Sequence, residues 1–387
     1  MIACALSGGV DSAVSLHLLL KRFPRRLVKA VFMRNWNEGG DIQCPLSEDL
    51  SSAQAVAEHF DVEITTVDLS KAYWLNVFEP MLQEYTSGLT PNPDVLCNRH
   101  IKFGRLLDFC QNALGAEKLA TGHYARTRTC EYDKTTHLLR GKDLVKDQTF
   151  FLAGIHRSAL QFAEFPIGEF SKPQVKRMAV DMGLPELAAR KESMGICFIG
   201  KRDFKGFIDQ YAEARPGNFI DMDTGRVVGE HKGKHMWTLG QRALLRNSPA
   251  RYFISRTSEG NDIFVCAGHD HPSLFADSVR TFTPHWINPS FEGWTGNLTF
   301  KSQNKEPVAS CKIVENTEKG LSMRLGHFKR AVAPGQYIAL YDGEECVGSA
   351  KVRWSGASID LSAHDHSDMG RTLSGRRSER DMLRALV

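Results

Sequence analysis

Long apolar stretches are missing from this chain. No run of about eighteen apolar residues occurs, so no membrane-spanning helix is expected. Net charge is also scarce: 49 Lys and Arg face 45 Asp and Glu, a formal +4. Residues 1–200 balance at 23 to 23 and the remainder stands at 26 to 22, so the excess falls in the C-terminal half. That excludes a strongly basic coat. It leaves a weak attraction for a polyanion there, about as well explained by a solvated mixed surface. Paired cysteines are absent too. Nine cysteines are spread widely, and no two are separated by only two residues. A secreted disulfide framework and a zinc ribbon are excluded, and a reducing compartment is expected. Cys4, Cys110, Cys266, Cys311 and Cys346 lie in apolar patterns and read as core residues. Met1 stands directly against the first apolar run, so no signal or transit peptide is expected in this sequence.

What is present is 387 residues of ordinary globular composition, enough for two or three domains. The chain is organised around Ala5-Leu6-Ser7-Gly8-Gly9-Val10-Asp11-Ser12. An apolar run precedes it, and apolar residues at Ala13, Val14, Leu16, Leu19 and Leu20 follow: strand, glycine turn, amphipathic helix. Two glycines let the backbone approach a ligand, and free N–H groups at a helix start attract phosphate. Asp11 is anomalous in an anion site, and a Mg²⁺ between it and the phosphates would resolve the conflict. A Gly-Gly turn alone would be an ordinary cap. The whole stretch reads as a nucleotide loop.

Further strands are expected at 29–33, 62–67 and 118–121, with a helix at 51–60. Strands alternating with helices predict a parallel sheet with ligands at its C-terminal edge. Thr90-Pro91-Asn92-Pro93-Asp94 is a proline-punctuated loop leading into a helix to about Leu114. Cys97 then stands near a helix start with Arg99, His100 and Lys102 close in sequence, a setting that favours thiolate over a merely structural thiol. Asp94 could exchange a proton with it. Gly122 and His123 follow a strand end, where they can line the nucleotide pocket, although a lone histidine is more often structural. Lys146-Asp147-Gln148 forms a polar cluster, by itself a helix start. Lys172 to Leu184 reads as a helix, and Cys197 lies in a short apolar strand between glycines. From about Lys201 the pattern becomes short strands and turns. After His271 the strands 298–301, 308–313, 321–325, 336–341 and 346–352 predict a small antiparallel barrel or sandwich. Residues beyond 355 read as a polar tail, where His364, Asp365 and His366 are solvated rather than metal-bound.

These stretches, with His231-Lys232-Gly233 and Thr238 to Arg242, resemble a known family. The first motif looks like the pyrophosphate loop of the N-type ATP pyrophosphatases. The set over residues 2–352 closely resembles the tRNA-specific 2-thiouridylases, with Arg99 to Phe103, Tyr124 to Thr127, Thr149 to Leu152 and Lys191 to Gly195 leaning to the mitochondrial branch. The resemblance implies an α/β fold: a parallel-sheet PP-loop ATP pyrophosphatase domain (1–200), a small mixed central domain (201–270), a C-terminal antiparallel β-barrel (271–354) and a tail (355–387). It implies ATP-dependent 2-thiolation of the wobble uridine of tRNA, of the Lys, Glu or Gln anticodon type. ATP would adenylate the C2 oxygen, and a cysteine persulfide, loaded by a sulfur-donor protein, would supply sulfur. Carried over by motif, Ala5, Leu6, Ser7, Gly8, Gly9, Val10, Asp11, Ser12, Met33 and Gly122 hold ATP with Mg²⁺. Asn92, Pro93 and Asp94 meet the target base, and Asp94 moves a proton. Cys197 carries the persulfide, and Cys97 attacks it, releasing sulfide or forming a Cys97–Cys197 disulfide. His123, Lys146, Asp147, Gln148 and Gln336 contact tRNA. A monomer in mitochondria is implied, with a bacterial-type cytoplasm as the alternative. Two departures stand out. A basic and aromatic segment of many relatives is replaced by Lys301-Ser302-Gln303-Asn304-Lys305, and a glycine-rich stretch by Ala243-Leu244-Leu245-Arg246. Rival readings are another adenylating ligase with the same loop, an iron–sulfur-dependent thiolase, and a tRNA-binding protein without catalysis.

Overall fold

The computed structural model describes residues 1–36, 45–190, 204–213, 215–245, 248 and 250–357. The N-terminal part is built on β1 (Ile2–Ala5), β2 (Val28–Arg34), β3 (Ile64–Asp68), β4 (Lys118–Ala120), β5 (Ala125–Thr129), β6 (Thr136–Arg140) and β7 (Ala163–Glu164). Five of them make a parallel sheet in the order β3-β2-β1-β4-β7. Both faces are covered, which is why β1 and β2 are nearly continuous in apolar residues. Ile2, Cys4, Ala30 and Phe32 pack with Leu16 and Leu19 on one side, while Ala3 and Val31 pack with Phe103 and Leu107 on the other. The first helix, Val10–Arg22, buries Val10, Ala13, Val14, Leu16 and Leu19 along one stripe and stops at Phe23 before Pro24. Each large side chain buried this way contributes about 2 kcal/mol.

The order of strands reverses at β1, between β2 and β4, which is where an open parallel sheet offers a crevice at its C-terminal edge. The Ser7 to Ser12 turn and Gly122 both lie at that edge. A continuous helical run, 70–86, sits between β3 and the Asn92 loop.

The central part contains β8 (Gly217–Asp221), β9 (Val227–His231), β10 (Arg242–Ala243), β11 (Tyr252–Thr257) and β12 (Ile263–Ala267), ordered β10-β11-β12-β8-β9. The C-terminal part contains β13 (Phe275–Thr281), β14 (His285–Trp286), β15 (Gly296–Lys301), β16 (Ala309–Thr317), β17 (Gly320–Arg330), β18 (Tyr337–Asp342) and β19 (Glu345–Gly356). Six of these close on themselves, β13-β17-β16-β15-β18-β19, because β13 pairs with both β17 and β19. The closure settles barrel against sandwich. β13 is the strand that sequence reading passed over: its inward positions include Ser278 and Thr281 beside Val279, so the apolar alternation is broken. Ser355 and Gly356, assigned to a tail, complete β19. His364, Asp365 and His366 lie outside the described residues.

The catalytic part and the barrel share one core. Ile287, Ala339, Tyr341 and Cys346 pack with Phe150, Leu152 and Leu138. The β5–β6 hairpin continues the barrel wall through Leu139 opposite Glu345. The five cysteines read as core residues are buried. Burial pushes the Cys4, Cys110 and Cys311 thiols up to about 12 and Cys266 to about 11, so none of these is poised as a thiolate.

Candidate active site

β1 ends at Ala5, and Leu6 still donates its N–H to Val31 O at 2.9 Å. The chain then turns at Gly8, whose φ of +77° suits glycine and whose Cβ, if present, would collide with the Asp49 carbonyl oxygen. Ser52 Oγ at 2.9 Å and Arg190 Nη1 at 3.3 Å donate to Gly8 O, fixing that peptide. Ser12 Oγ accepts from Ser7 N at 3.1 Å and donates to Gly9 O at 2.8 Å, closing the turn on itself. The first intrahelical bond is Ala13 N to Gly9 O, so the amides before it are left for an anion. A Cβ on Gly122 would stand 2.7 Å from Ser12 N. The β4 end and the loop therefore touch, and Met33 sits half-buried at the neighbouring end of β2.

Asp11 has partners that sequence reading did not find. Lys172 Nζ donates to both of its carboxylate oxygens at 2.8 Å, and Tyr124 Oη donates to Oδ1 at 2.8 Å. The Lys172 ammonium also stands 5.8 Å from the Tyr124 ring centroid. An unneutralised carboxylate 4 Å from a phosphate charge would cost about 4 kcal/mol at an effective dielectric constant of 20. Lys172 removes that cost. It also bears on the expected Mg²⁺. Both Asp11 oxygens accept from an ammonium in this arrangement, so Asp11 would meet a phosphate-bound Mg²⁺ in place of Lys172.

The second part of the site starts at Asn92. Its Oδ1 accepts from Val95 N at 3.3 Å, capping a helix with Pro93 in its first turn. Its Nδ2 donates to Gln336 Oε1 at 2.9 Å. Two expected contact residues separated by 244 positions thus meet, and Thr90 N bonds Pro334 O at 2.9 Å beside them. Cys97 is buried at 5% exposure, among Trp36, Phe78, Ile101 and Phe207. It opens a wide π-type stretch, Cys97–Leu106, kinked at Phe103. The cations expected to surround its thiol face elsewhere: Arg99 Nη1 reaches Gly154 O at 3.4 Å, and Lys102 Nζ reaches His123 Nε2 at 3.3 Å. Burial pushes the Asp94 carboxyl up from its ordinary value, and the Lys102 charge opposes this. A carboxyl so placed takes up a proton more readily than a surface aspartate.

The expected RNA contacts divide in two. Lys146 and Gln148 are half-buried, in a turn organised by Asp143 Oδ1, which accepts from Val145 N and Lys146 N. Gln148 Oε1 accepts from Tyr124 N at 2.9 Å, which joins this turn to the ATP loop. Asp147 is fully buried, and its carboxylate accepts from Gly141 N, Thr149 N, Thr149 Oγ1, Arg140 Nε and Lys301 Nζ. Its side chain holds the turn in place. Lys301, in the stretch that replaces the basic segment of many relatives, is 1% exposed and belongs to the same cluster. His123 is enclosed at 8% exposure. Its Nε2 faces an ammonium, so Nδ1 carries the proton and donates to Thr121 Oγ1 at 2.7 Å. Burial first, then Lys102, drives its pKa well below 6.5, so the ring is neutral.

Cys197 falls within 191–203, outside the described residues. The residues flanking that segment are tethered at both halves of the site. Arg190 binds Gly8 O and Asp49, while Phe207 and Ile208, in the helix Phe204–Ile208, pack with Cys97 and Trp36. What sequence reading missed are contacts. Lys102 and Tyr124 stand out for other reasons and Lys172 only as a helix start, and only the fold brings them to His123 and Asp11.

Three family models match this chain: the tRNA methyl transferase HUP domain over residues 1–201, the tRNA methyl transferase PRC-barrel domain over 205–267, and the aminomethyltransferase beta-barrel domain over 276–352. The mitochondrial tRNA-specific 2-thiouridylase 1 of Drosophila melanogaster is 42% identical over 364 residues, 91% of this chain and 93% of that protein. The tRNA-specific 2-thiouridylase MnmA of Klebsiella pneumoniae is 39% identical over 90% of this chain and 95% of its own length. The human mitochondrial tRNA-specific 2-thiouridylase 1 is 37% identical over 92% of this chain and 91% of its own.

Proposed function

The chain belongs to the tRNA-specific 2-thiouridylases, and from that premise we propose that it replaces the C2 oxygen of a tRNA wobble uridine with sulfur at the expense of ATP. The observation that carries this reading is the meeting of three parts. The Asn92 to Cys97 segment bonds the barrel residue Gln336, and Lys102, later in the same helical run, reaches His123, next to the Gly122 whose backbone abuts Ser12 of the loop.

ATP lies with its phosphates on the loop amides. Uridine O2 attacks the α-phosphorus, the bond to pyrophosphate breaks, and pyrophosphate leaves with the electron pair. The uracil N3 proton passes to Asp94. A carbonyl oxygen is a poor leaving group, and adenylation makes it a good one. Cys97 thiolate then attacks Sγ of the Cys197 persulfide. Hydrosulfide is released as the Cys97–Cys197 disulfide forms. It adds to C2, AMP leaves with the C–O electron pair, and the thione remains. The enclosed setting of Cys97 excludes water from the adenylated base. The base must leave the anticodon stack to reach this depth. Mg²⁺ would be held by the ATP phosphates and Asp11 and would offset phosphate charge.

The tRNA is of the Lys, Glu or Gln anticodon type, sulfur comes from a persulfide-carrying protein, the chain acts as a monomer, and it works in mitochondria. The division at about residues 200, 270 and 354 belongs to the same proposal, supported by three strand systems, with β5 and β6 of the first part added to the barrel's sheet. The test is mass spectrometry of tRNA nucleosides after incubation with ATP and a persulfide donor. The expected result is one oxygen-to-sulfur exchange at the wobble uridine, lost in Cys97→Ser. Unchanged nucleosides with the unaltered protein, or full activity in Cys97→Ser, would overturn the reading.

A further inference from the structure

We propose that His235 and Asp209 are positioning residues for sulfur insertion. Through them the central part holds the helix Phe204–Ile208 against Cys97, so that the adenylated base meets sulfur before it meets water. The inference rests on the thiolation reading and adds to it a task for the central part.

The helix Phe204–Ile208 has five residues, too few to be stable by itself. One hold on it is apolar. Phe207 and Ile208 pack in one cluster with Cys97, Trp36 and Phe78, and the Phe207 ring lies 5.9 Å from Trp36 and 6.0 Å from Phe78. The other hold is polar and comes from the central part. Asp209, directly after the helix, accepts from His235 Nε2 at 2.6 Å. The imidazole is 3% exposed and the carboxylate 40%, so the ring is the fixed member and the aspartate is what it captures. The ring stands on an anchored turn, Lys234–Met236, which packs against the helix Glu79–Thr86. Lys234 Nζ donates to Ser258 O at 3.0 Å, and Trp237 N donates to Lys234 O at 3.0 Å. A Cβ on Gly233 would stand 2.4 Å from His235 Cε1, so glycine is needed for the ring to lie where it reaches Asp209. The His231-Lys232-Gly233 stretch, which adenylation and sulfur transfer leave without a role, thereby gains one.

Cys97 is 5% exposed, and this helix helps to enclose it. Where the helix loosens, water reaches the adenylated base. Water adds to C2 and loses a proton, and AMP leaves with the C–O electron pair. Uridine returns with oxygen at C2, and the net change is ATP and water to AMP and pyrophosphate. The pair couples adenylation to sulfur insertion without touching substrate.

The test is alkylation of the full chain by iodoacetamide, followed at each cysteine by peptide mass spectrometry, in the unaltered protein, Asp209→Ala, His235→Leu and His235→Gln. Cys97 should react about tenfold faster or more in the first two variants, the factor that one hydrogen bond to a charged group is worth. His235→Gln keeps an N–H that can donate to Asp209 and should recover most of the difference. Cys4 and Cys110, buried in the N-terminal core, should keep their rates. An unchanged Cys97 rate would overturn the proposal. So would an equal rise at Cys4 and Cys110, the mark of general loosening. If His235→Leu fails to fold, Asp209→Ala, altered at an exposed carboxylate, decides by the same comparison. With tRNA, ATP and a persulfide donor, pyrophosphate released per thiolated uridine should rise in Asp209→Ala and His235→Leu, and an unchanged ratio would overturn the coupling. A faster Cys97 in a protein whose unaltered form makes no thiouridine would sink the thiolation reading and leave the hold on Cys97 standing, which tells the two failures apart.

Discussion

Two Lys–Asp pairs of similar geometry sit in opposite surroundings in this molecule. Lys172 meets Asp11 at 2.8 Å, and Lys301 meets Asp147 at 3.0 Å. Their surroundings differ. Asp11 keeps 31% of its side chain exposed on a loop built to receive an anion, while Asp147 and Lys301 are at 0% and 1%. Asp147 is satisfied by two backbone amides and Thr149 as well as Lys301, and Lys301 comes from the far side of a domain seam. A sealed pair with every lone pair used cannot exchange partners without leaving a buried charge. A pair at a cleft, with Tyr124 in reserve, can. Distance alone therefore does not tell a structural ion pair from a working one. Access, and what remains when one partner moves, does.

The comparison can be broken most directly at Lys301. Lys301→Met should cost about 3–5 kcal/mol in urea unfolding, because Asp147 is left charged in the interior with only Arg140, at 3.4 Å, to balance it. The double variant Lys301→Met with Asp147→Leu should recover most of that. A cost under about 1 kcal/mol for the single variant would mean that the seam pair is as replaceable as the cleft pair. The next largest effect sharpens the seam. His285 Nε2 donates to Ile155 O at 2.7 Å across it. Burial, with Arg99 and His156 nearby, lowers its pKa from 6.5 to about 4, against the opposing pull of that bond. The unfolded chain takes the proton below about 6.5 and the folded one does not. Its stabilising contribution is therefore whole above that pH and lost as pH falls towards 4. On the order of 1–3 kcal/mol of acid sensitivity should disappear in His285→Gln when urea midpoints are followed from pH 7 to 4. An unchanged acid limb would place the titrating group elsewhere. The smallest effect belongs to the cleft. Tyr124→Phe removes one hydrogen bond to an aspartate that Lys172 still satisfies, and should shift stability by about 1 kcal/mol. A loss as large as that of Lys301→Met would show that Asp11 is held as rigidly as Asp147.

Sequence reading reached what is written locally. The Ser7 to Ser12 turn, its flanking strand and helix, the parallel sheet and most barrel strands depend on neighbours within a few residues, and they stand as expected. Asp147 shows where that ends. A polar residue beside Lys146 and Gln148 looks exposed until Lys301, 154 positions on, encloses it. The Asn92–Gln336 bond has the same character. The cations near Cys97 were close in sequence, but helix geometry sends Arg99 and Lys102 to other partners. Lys172 looked like the first residue of an ordinary helix because nothing at its own position records Asp11.

The seam also sets an order in time. Asp147 is translated 154 residues before the lysine that neutralises it. At about 5–20 residues per second, the nascent turn waits roughly 8–30 s for that lysine, with Arg140 and its own amides as the partners already in place. Ser349 Oγ, which bonds Ala153 O at 2.8 Å, arrives later still. The ATP loop can form early, from β1, β2 and β4, but the turn beside it is completed by the last strands to leave the ribosome. The strands of the Ser7 to Ser12 loop are therefore in place before the barrel, yet the Lys146 turn next to it gains its last partners only when the barrel closes.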